Sequence, residues 1–428
     1  MKNSNVLPLE VSLSARDRSV IWHPFTQTGL AHEPLVVTHA EMSKLFLDTG
    51  EALIDGISSW WCNLHGHGHP KLAQAAFEQF KTLDHVLFAG CTHQPAIELA
   101  ERLISILPGT FSKVFYSDNG STAVEVALKM AVQWWHNQGQ RRSKIIALEN
   151  SYHGDTFGAM AAGARGIFTK PFDPMLFSVE HISTQGSAAD LQRLKKLCQT
   201  GDVAAFIFEP RVQGAGGMNI YADSTLNAYV DICKEFGVLT IADEVMTGFG
   251  RTGPLFASSV LSRSPDLICL SKGLTSGSVP LSVTASSSAI FDGFTSPDHS
   301  RSFFHGHTYT GNPIACAIAL ASLELTTSAA CSQARSMIEE SHKECAKRLA
   351  KLASVENVRV AGTILAFDIS SRSSDGYTSS AREAAMAFFR SKGVLLRPLG
   401  PIVYCMPPYC ITKGELDTIH NAIIEFAS

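Results

Sequence analysis

Val238-Leu239-Thr240-Ile241-Ala242-Asp243 and Leu267-Ile268-Cys269-Leu270-Ser271-Lys272-Gly273 are two apolar runs, each ending in chemistry. Short apolar runs between turn signals read as buried strands of an α/β sheet. The active groups of such sheets gather at the carboxyl ends of strands. Asp243 therefore stands at one strand end and Lys272 at another. A lysine in an exposed turn would fit poorly between an apolar strand and Gly273-Leu274-Thr275-Ser276-Gly277. An amine and a carboxylate on neighbouring strand ends match the needs of pyridoxal 5'-phosphate (PLP). The amine forms a Schiff base with the aldehyde, and the carboxylate keeps the pyridine nitrogen protonated.

Outward from this pair, Val114 to Tyr116, Lys144 to Leu148, Val203 to Phe208 and Leu281 to Ala285 are further strand candidates, and Ala123 to Trp135 reads as a helix. The alternation of strands and helices predicts an α/β fold with a mostly parallel sheet. After Asn312-Pro313 a helical periodicity runs from Ile314 to Ala353 and carries the chain into a smaller α+β domain. There Val358 to Ile369 and Val394 to Leu396 read as strands and Lys413 to Phe426 as a closing helix. Three parts are expected: an arm over 1–60 that packs on the small domain, a large domain over 61–320 and the small domain over 321–428.

Composition narrows the function. The 428 residues are 45% hydrophobic and 17% charged, ordinary for a globular enzyme. Lys+Arg 35 against Asp+Glu 39 gives −4, which offers no basic surface for nucleic acid. No apolar run approaches the roughly 18 residues of a membrane span. The amino-terminal residues lack an export signal, so a cytoplasmic protein with reduced thiols is expected.

Ser117-Asp118-Asn119-Gly120-Ser121-Thr122 lies between a strand and a helix. Free amides at a helix start attract an anion, so Gly120 and Ser121 are the expected phosphate ligands. A plain helix cap is the competing reading of the same residues. Tyr152 follows the strand ending near Leu148 and is the candidate to stack on the pyridine face. Glu244, beside Asp243, reads as structural. Glu209 and Arg211 would set the local charge.

Asp243-Glu244-Val245-Met246-Thr247-Gly248-Phe249-Gly250-Arg251-Thr252-Gly253, followed by Ser271-Lys272-Gly273, resembles the class III, fold-type I PLP aminotransferases. The likeness runs from Trp22-His23-Pro24-Phe25-Thr26-Gln27 to Met406-Pro407-Pro408-Tyr409. Trp22-His23-Pro24, Asp55-Gly56-Ile57-Ser58-Ser59-Trp60-Trp61, Tyr152 to Gly158, Gln213 to Met218 and Arg397-Pro398 narrow it. Those stretches resemble the members that pass an amino group from S-adenosylmethionine to 8-amino-7-oxononanoate in biotin biosynthesis. The resemblance implies a seven-stranded, mostly parallel sheet between helices, and a homodimer with shared active sites. It implies that Lys272 carries PLP, that Asp243 meets the pyridine nitrogen and that Gly120 and Ser121 bind phosphate. His307 and Thr308 of a second subunit would reach that phosphate. Trp60, Tyr152, Gly306 and Arg397 would contact substrate, with Phe25 and Tyr404 completing the pocket. Arg397 offers a fork matched to a carboxylate, and Trp60 a flat wall for an aliphatic chain. Core packing is the expected role of Trp61.

Two positions depart from the family. Phe25 stands where many relatives carry Tyr, and His307 where Pro is common. The His307 amide could bind phosphate, which Pro cannot offer. His65-Gly66-His67-Gly68-His69 invites a metal reading, but no carboxylate close in sequence completes a hydrolytic set, and none is expected. Three rivals remain at this point: a lysine-using version of the same enzyme, another class III ω-aminotransferase, and a non-catalytic or metal-dependent protein on the same scaffold.

Overall fold

A computed structural model describes residues 11–29, 33–370 and 380–428. At its centre is a seven-stranded sheet in the order Phe111–Ser117, Ser282–Ser287, Leu267–Leu270, Leu239–Asp243, Val203–Phe208, Lys144–Leu148, Val179–Ile182. The pairs from Leu267–Leu270 through to Val179–Ile182 are parallel. Ser282–Ser287 is antiparallel to both its neighbours. Val203–Phe208 is buried at every position, the signature of a strand covered on both faces. Two apolar clusters fill those faces.

Six of the seven strands were legible as apolar runs. Val179–Ile182 was not, because Glu180 and His181 interrupt the pattern. It is an edge strand, and its polar positions have partners: Glu180 pairs with Arg193 at 3.2 Å, and His181 Nε2 lies 3.1 Å from the Gly163 carbonyl.

The expected helix from Ile314 to Ala353 is two helices, Pro313–Thr326 and Ala329–Leu349, bent by 66°. Ser328 makes the break by capping the second, its Oγ accepting from the Cys331 amide at 3.1 Å. Likewise, Val358 to Ile369 is not one strand but the antiparallel pair Val355–Ala361 and Ile364–Ile369. The chain reverses at Gly362, where φ is +54°. Periodicity ran through both breaks because the residues on either side share a core. No single described helix is long and apolar enough to cross a membrane.

The amino-terminal segment forms the meander Val37–Glu41, Lys44–Leu47, Ala52–Asp55. Its last strand runs parallel to Val394–Leu395, with Asp55 opposite Leu395. That pairing sets two loops side by side, one leading to Trp60 and the other to Arg397. A Cβ on Gly56 would lie 2.6 Å from Leu396 Cδ2, so the strand ends pack too closely for a side chain there.

Candidate active site

Ser117, Leu148, Phe208, Asp243 and Leu270 all end strands on one edge of the sheet. A cavity of ≈ 460 Å³ opens at that edge, lined among others by Asp118 to Ser121, Tyr152, His153, Glu209, Asp243 and Lys272.

Helix Gly120–Asn137 begins with a capping box. Asn119 Oδ1 accepts from the Thr122 amide at 3.0 Å, and Thr122 Oγ1 accepts from the Asn119 amide at 3.2 Å. The cap serves the third helical amide and leaves those of Gly120 and Ser121, which line the cavity, without intrahelical partners. The cap is therefore present, and it does not exclude an anion at the first two amides. A Cβ on Gly120 would meet Val245 Cγ1 at 2.6 Å, and one on Gly154 would meet Ser121 Oγ at 2.1 Å.

Asp243 is 4% exposed. Its Oδ1 accepts from the Val245 amide at 3.1 Å and its Oδ2 lies 2.7 Å from His153 Nδ1. Sequence reasoning quoted His153 only as part of a motif. Its place beside Tyr152, in a loop after a strand, was the available signal. His153 Nε2 is buried and makes no hydrogen bond within the described chain. Glu244, by contrast, turns away and is structural: its carboxylate accepts from the amides of Ala257 and Ser258 at 2.8 and 2.7 Å.

Lys272 opens a short 3₁₀ turn with φ of +42°, a left-handed conformation that a lysine adopts only where packing enforces it. Its Nζ lies 5.0 Å from the centre of the Trp61 ring. Burial of the ammonium holds its pKa below the ordinary lysine value, with Asp243 and Glu209 opposing. Glu209 accepts from the amides of Tyr152 at 3.1 Å and Gly214 at 2.9 Å. Burial pushes its carboxyl up to about 7, with His153 opposing and Asp243 adding to the rise. Burial and the nearby Asp155 raise the Tyr152 phenol above its usual value.

The remaining expected residues fall into three groups. Trp60, Phe25 and Arg397 meet one another but lie outside the cavity lining: the Arg397 guanidinium lies 4.7 Å and the Phe25 ring 5.7 Å from the Trp60 ring. Trp61 lines the cavity as well as packing in the core, and its indole N–H donates to Tyr404 Oη at 2.9 Å. Tyr404, 2% exposed, stands behind Trp61 rather than in the lining. Gly306, His307 and Thr308 lie outside the lining, with His307 Nε2 3.9 Å from Asp118 Oδ1. The His307 amide, expected to be open to an anion, donates to Thr310 Oγ1 at 3.1 Å.

The histidine cluster has other work. His65 Nε2 lies 3.0 Å from Thr326 Oγ1, His67 Nε2 lies 3.0 Å from Asp55, and His69 caps a helix through the Lys71 amide. Among the described residues no group of three or more His, Cys, Asp or Glu could hold a metal ion.

The cavity fits PLP on its own chemistry. It offers a buried amine, a carboxylate doubly oriented by an amide and a histidine, an aromatic ring, and a helix start whose first amides are open. It also holds a histidine nitrogen that finds no partner among the described residues.

The model of the aminotransferase class-III family matches residues 26–426. The adenosylmethionine-8-amino-7-oxononanoate aminotransferase of Synechococcus elongatus is 47% identical over 421 residues, spanning 95% of this chain and 97% of its own. The enzyme of that name from Geobacter sulfurreducens is 37% identical, spanning 95% of each chain. The crystal structure of the Methanocaldococcus jannaschii enzyme of that name superposes with a TM-score of 0.90 at 33% identity, covering 96% of this chain and 98% of that one. The ω-transaminase of Pseudomonas jessenii, solved in complex with PMP, superposes at 0.89 with 27% identity, over 97% of each chain. By its fold, its strand-end lysine and aspartate, and the family match over nearly its whole length, the chain belongs to the class III PLP-dependent aminotransferases.

Proposed function

We propose that the protein transfers the α-amino group of S-adenosylmethionine to the keto carbon of 8-amino-7-oxononanoate, giving 7,8-diaminononanoate for biotin synthesis. The observation that carries this reading is the meeting of Lys272, Asp243 and the open helix start at Gly120 in one cavity. When bound, PLP supplies an aldehyde that takes up the amino group and a ring that accepts the electron pair left when the donor Cα–H bond breaks.

The chain's residues hold and time that chemistry. Gly120 and Ser121 bind the phosphate through their amides. Asp243, held by His153, would keep the pyridine nitrogen protonated, and Tyr152 would pack on the ring. Lys272 would be the attachment point and, once free, its amine would carry a proton from the donor Cα to the cofactor's C4' in the first half of the reaction and from C4' to the product Cα in the second. Its depressed pKa suits a group that must lose its own proton first. Arg397 grips the carboxylate common to donor and acceptor, and Trp60 with Phe25 forms the wall for the aliphatic chain. A second copy of the chain supplies Gly306, His307 and Thr308, so the working unit is a homodimer. The large domain spans 61–320, the arm and small domain flank it, and the enzyme acts in the cytoplasm.

The test is a spectrum followed by turnover. Protein loaded with PLP should absorb in the visible, and the band should shift on adding S-adenosylmethionine. Adding 8-amino-7-oxononanoate should then restore it and release the diamine. A shift with lysine but none with S-adenosylmethionine would reassign the donor. Absence of any cofactor band would overturn the reading. Rescue of a biotin-requiring strain lacking this step gives the same answer in cells.

A further inference from the structure

Both tryptophans hang from a strained turn. Ser58, Ser59 and Trp61 have φ of +50°, +59° and +66°, and none is glycine. Positive φ at three of four successive residues, interrupted by Trp60 at −143°, persists only where the surroundings over-determine it. Ser58 is anchored by its hydroxyl, which donates to the Met406 carbonyl at 2.8 Å, and the turn around Ile57 and Ser59 is held by Asp55, which is fully buried. Its Oδ1 accepts from the Ile57 amide at 3.1 Å, and its Oδ2 from the Ser59 amide at 2.6 Å and the Ser59 hydroxyl at 3.2 Å.

Asp55 is itself held. His67 Nε2 lies 3.0 Å from Asp55 Oδ2, and His67 Nδ1 lies 3.1 Å from Asn63 Nδ2. Asn63 is fixed in turn, its Oδ1 accepting from the Gly66 amide at 2.8 Å. An amide NH₂ only donates, so Nδ1 accepts and the proton on Nε2 goes to Asp55. The relay therefore runs Asn63 to His67 to Asp55 to the turn. On the far side of the turn, Trp60 meets Arg397 and Phe25, and Trp61 meets Lys272 and Tyr404.

We infer that Asp55, oriented by His67, is a positioning residue: the pair holds the strained turn that sets Trp60 against Arg397 and Trp61 over the Lys272 amine. The inference rests on the proposal that Trp60 and Lys272 meet substrate.

Asp55→Asn and His67→Gln test it, with three readouts: thermal melting, acrylamide quenching of tryptophan fluorescence in cofactor-free protein, and kcat and KM of the loaded enzyme for each substrate. His67→Gln should melt close to wild type, quench more readily, and raise KM for the long keto acid about tenfold, with a smaller effect on the donor. Asp55→Asn should move the same quantities further. Should Asp55→Asn fail to fold, His67→Gln carries the test alone. A folded His67→Gln with wild-type quenching and wild-type KM values overturns the inference, as does a lower melting temperature with kinetics unchanged. A wild-type enzyme that does not turn over the keto acid would refute the proposed function instead, and the quenching result would still decide the role of the turn.

Discussion

Asp243 is the residue on which the proposed chemistry turns, and its geometry makes a sharp prediction. Its two oxygens are already committed to Val245 and His153, so its orientation survives loss of charge better than most. Asp243→Asn should fold and load PLP, yet lose turnover on the order of a thousandfold, because an amide does not hold the pyridine nitrogen protonated. Single-turnover reaction with the donor, followed by absorbance, measures it. Glu209 makes a second prediction, in the cofactor-free protein. Its native pKa of about 7 lies above the ordinary carboxylate value. Between roughly pH 4.5 and 7 the unfolded chain gives up this proton while the native chain keeps it, so the stability this group contributes falls as pH rises through that window, by about 3 kcal/mol in all. Glu209→Gln should remove that slope, leaving a constant offset for the altered bonds to Tyr152 and Gly214. Denaturant titrations at pH 5, 6, 7 and 8 check it.

At the scale of elements, the hairpin Val355–Ala361 to Ile364–Ile369 docks against the loop that follows Asp243. Gly362 touches that loop's backbone: a Cβ there would lie 2.2 Å from the Gly253 nitrogen and 2.5 Å from the Thr252 carbonyl carbon. Backbone cannot step aside as a flexible side chain can. Gly362→Ala should therefore destabilise by at least ~3 kcal/mol, the left-handed strain plus a steric clash. Gly237 supplies the control. Its φ is +67°, but nothing lies within 4 Å of an added Cβ, so Gly237→Ala should cost only ~1 kcal/mol. Urea midpoints of the two variants separate backbone strain from close packing.

Across the whole molecule, the carboxyl-terminal helix Lys413–Ala427 is tied to helix Ala329–Leu349 by a buried histidine pair. His342 Nδ1 lies 2.9 Å from His420 Nε2, and His342 Nε2 lies 3.2 Å from the Thr363 carbonyl. Burial lowers both pKa values. Below about pH 6.5 the unfolded chain takes up protons that the native pair refuses, so the stability this pair contributes is present above that pH and drains as pH falls. From pH 7.5 to 5 the pair's contribution should decline, against the opposite drift from Glu209, so the difference in unfolding free energy between wild type and His420→Gln, measured at pH 7.5, 6 and 5, should shrink as pH falls.

The chain by itself determined the sheet strands that run apolar from end to end, and with them the carboxyl ends carrying Asp243 and Lys272. A buried strand needs continuous apolar residues, and that requirement is written locally. It also pointed to open amides at Gly120 and Ser121, because glycine and capping residues act within one turn, although the helix read from Ala123 begins at Gly120. The edge strand Val179–Ile182, the bend at Ser328 and the reversal at Gly362 stayed hidden, since each depends on what packs alongside. Only the tertiary structure brought His153 to Asp243, set Arg397 against Trp60 through the pairing of Ala52–Asp55 with Val394–Leu395, and placed Asp55 and His67 under the strained turn. Those contacts join residues far apart in sequence, and their selection lies in packing and hydrogen-bond satisfaction rather than in any local pattern.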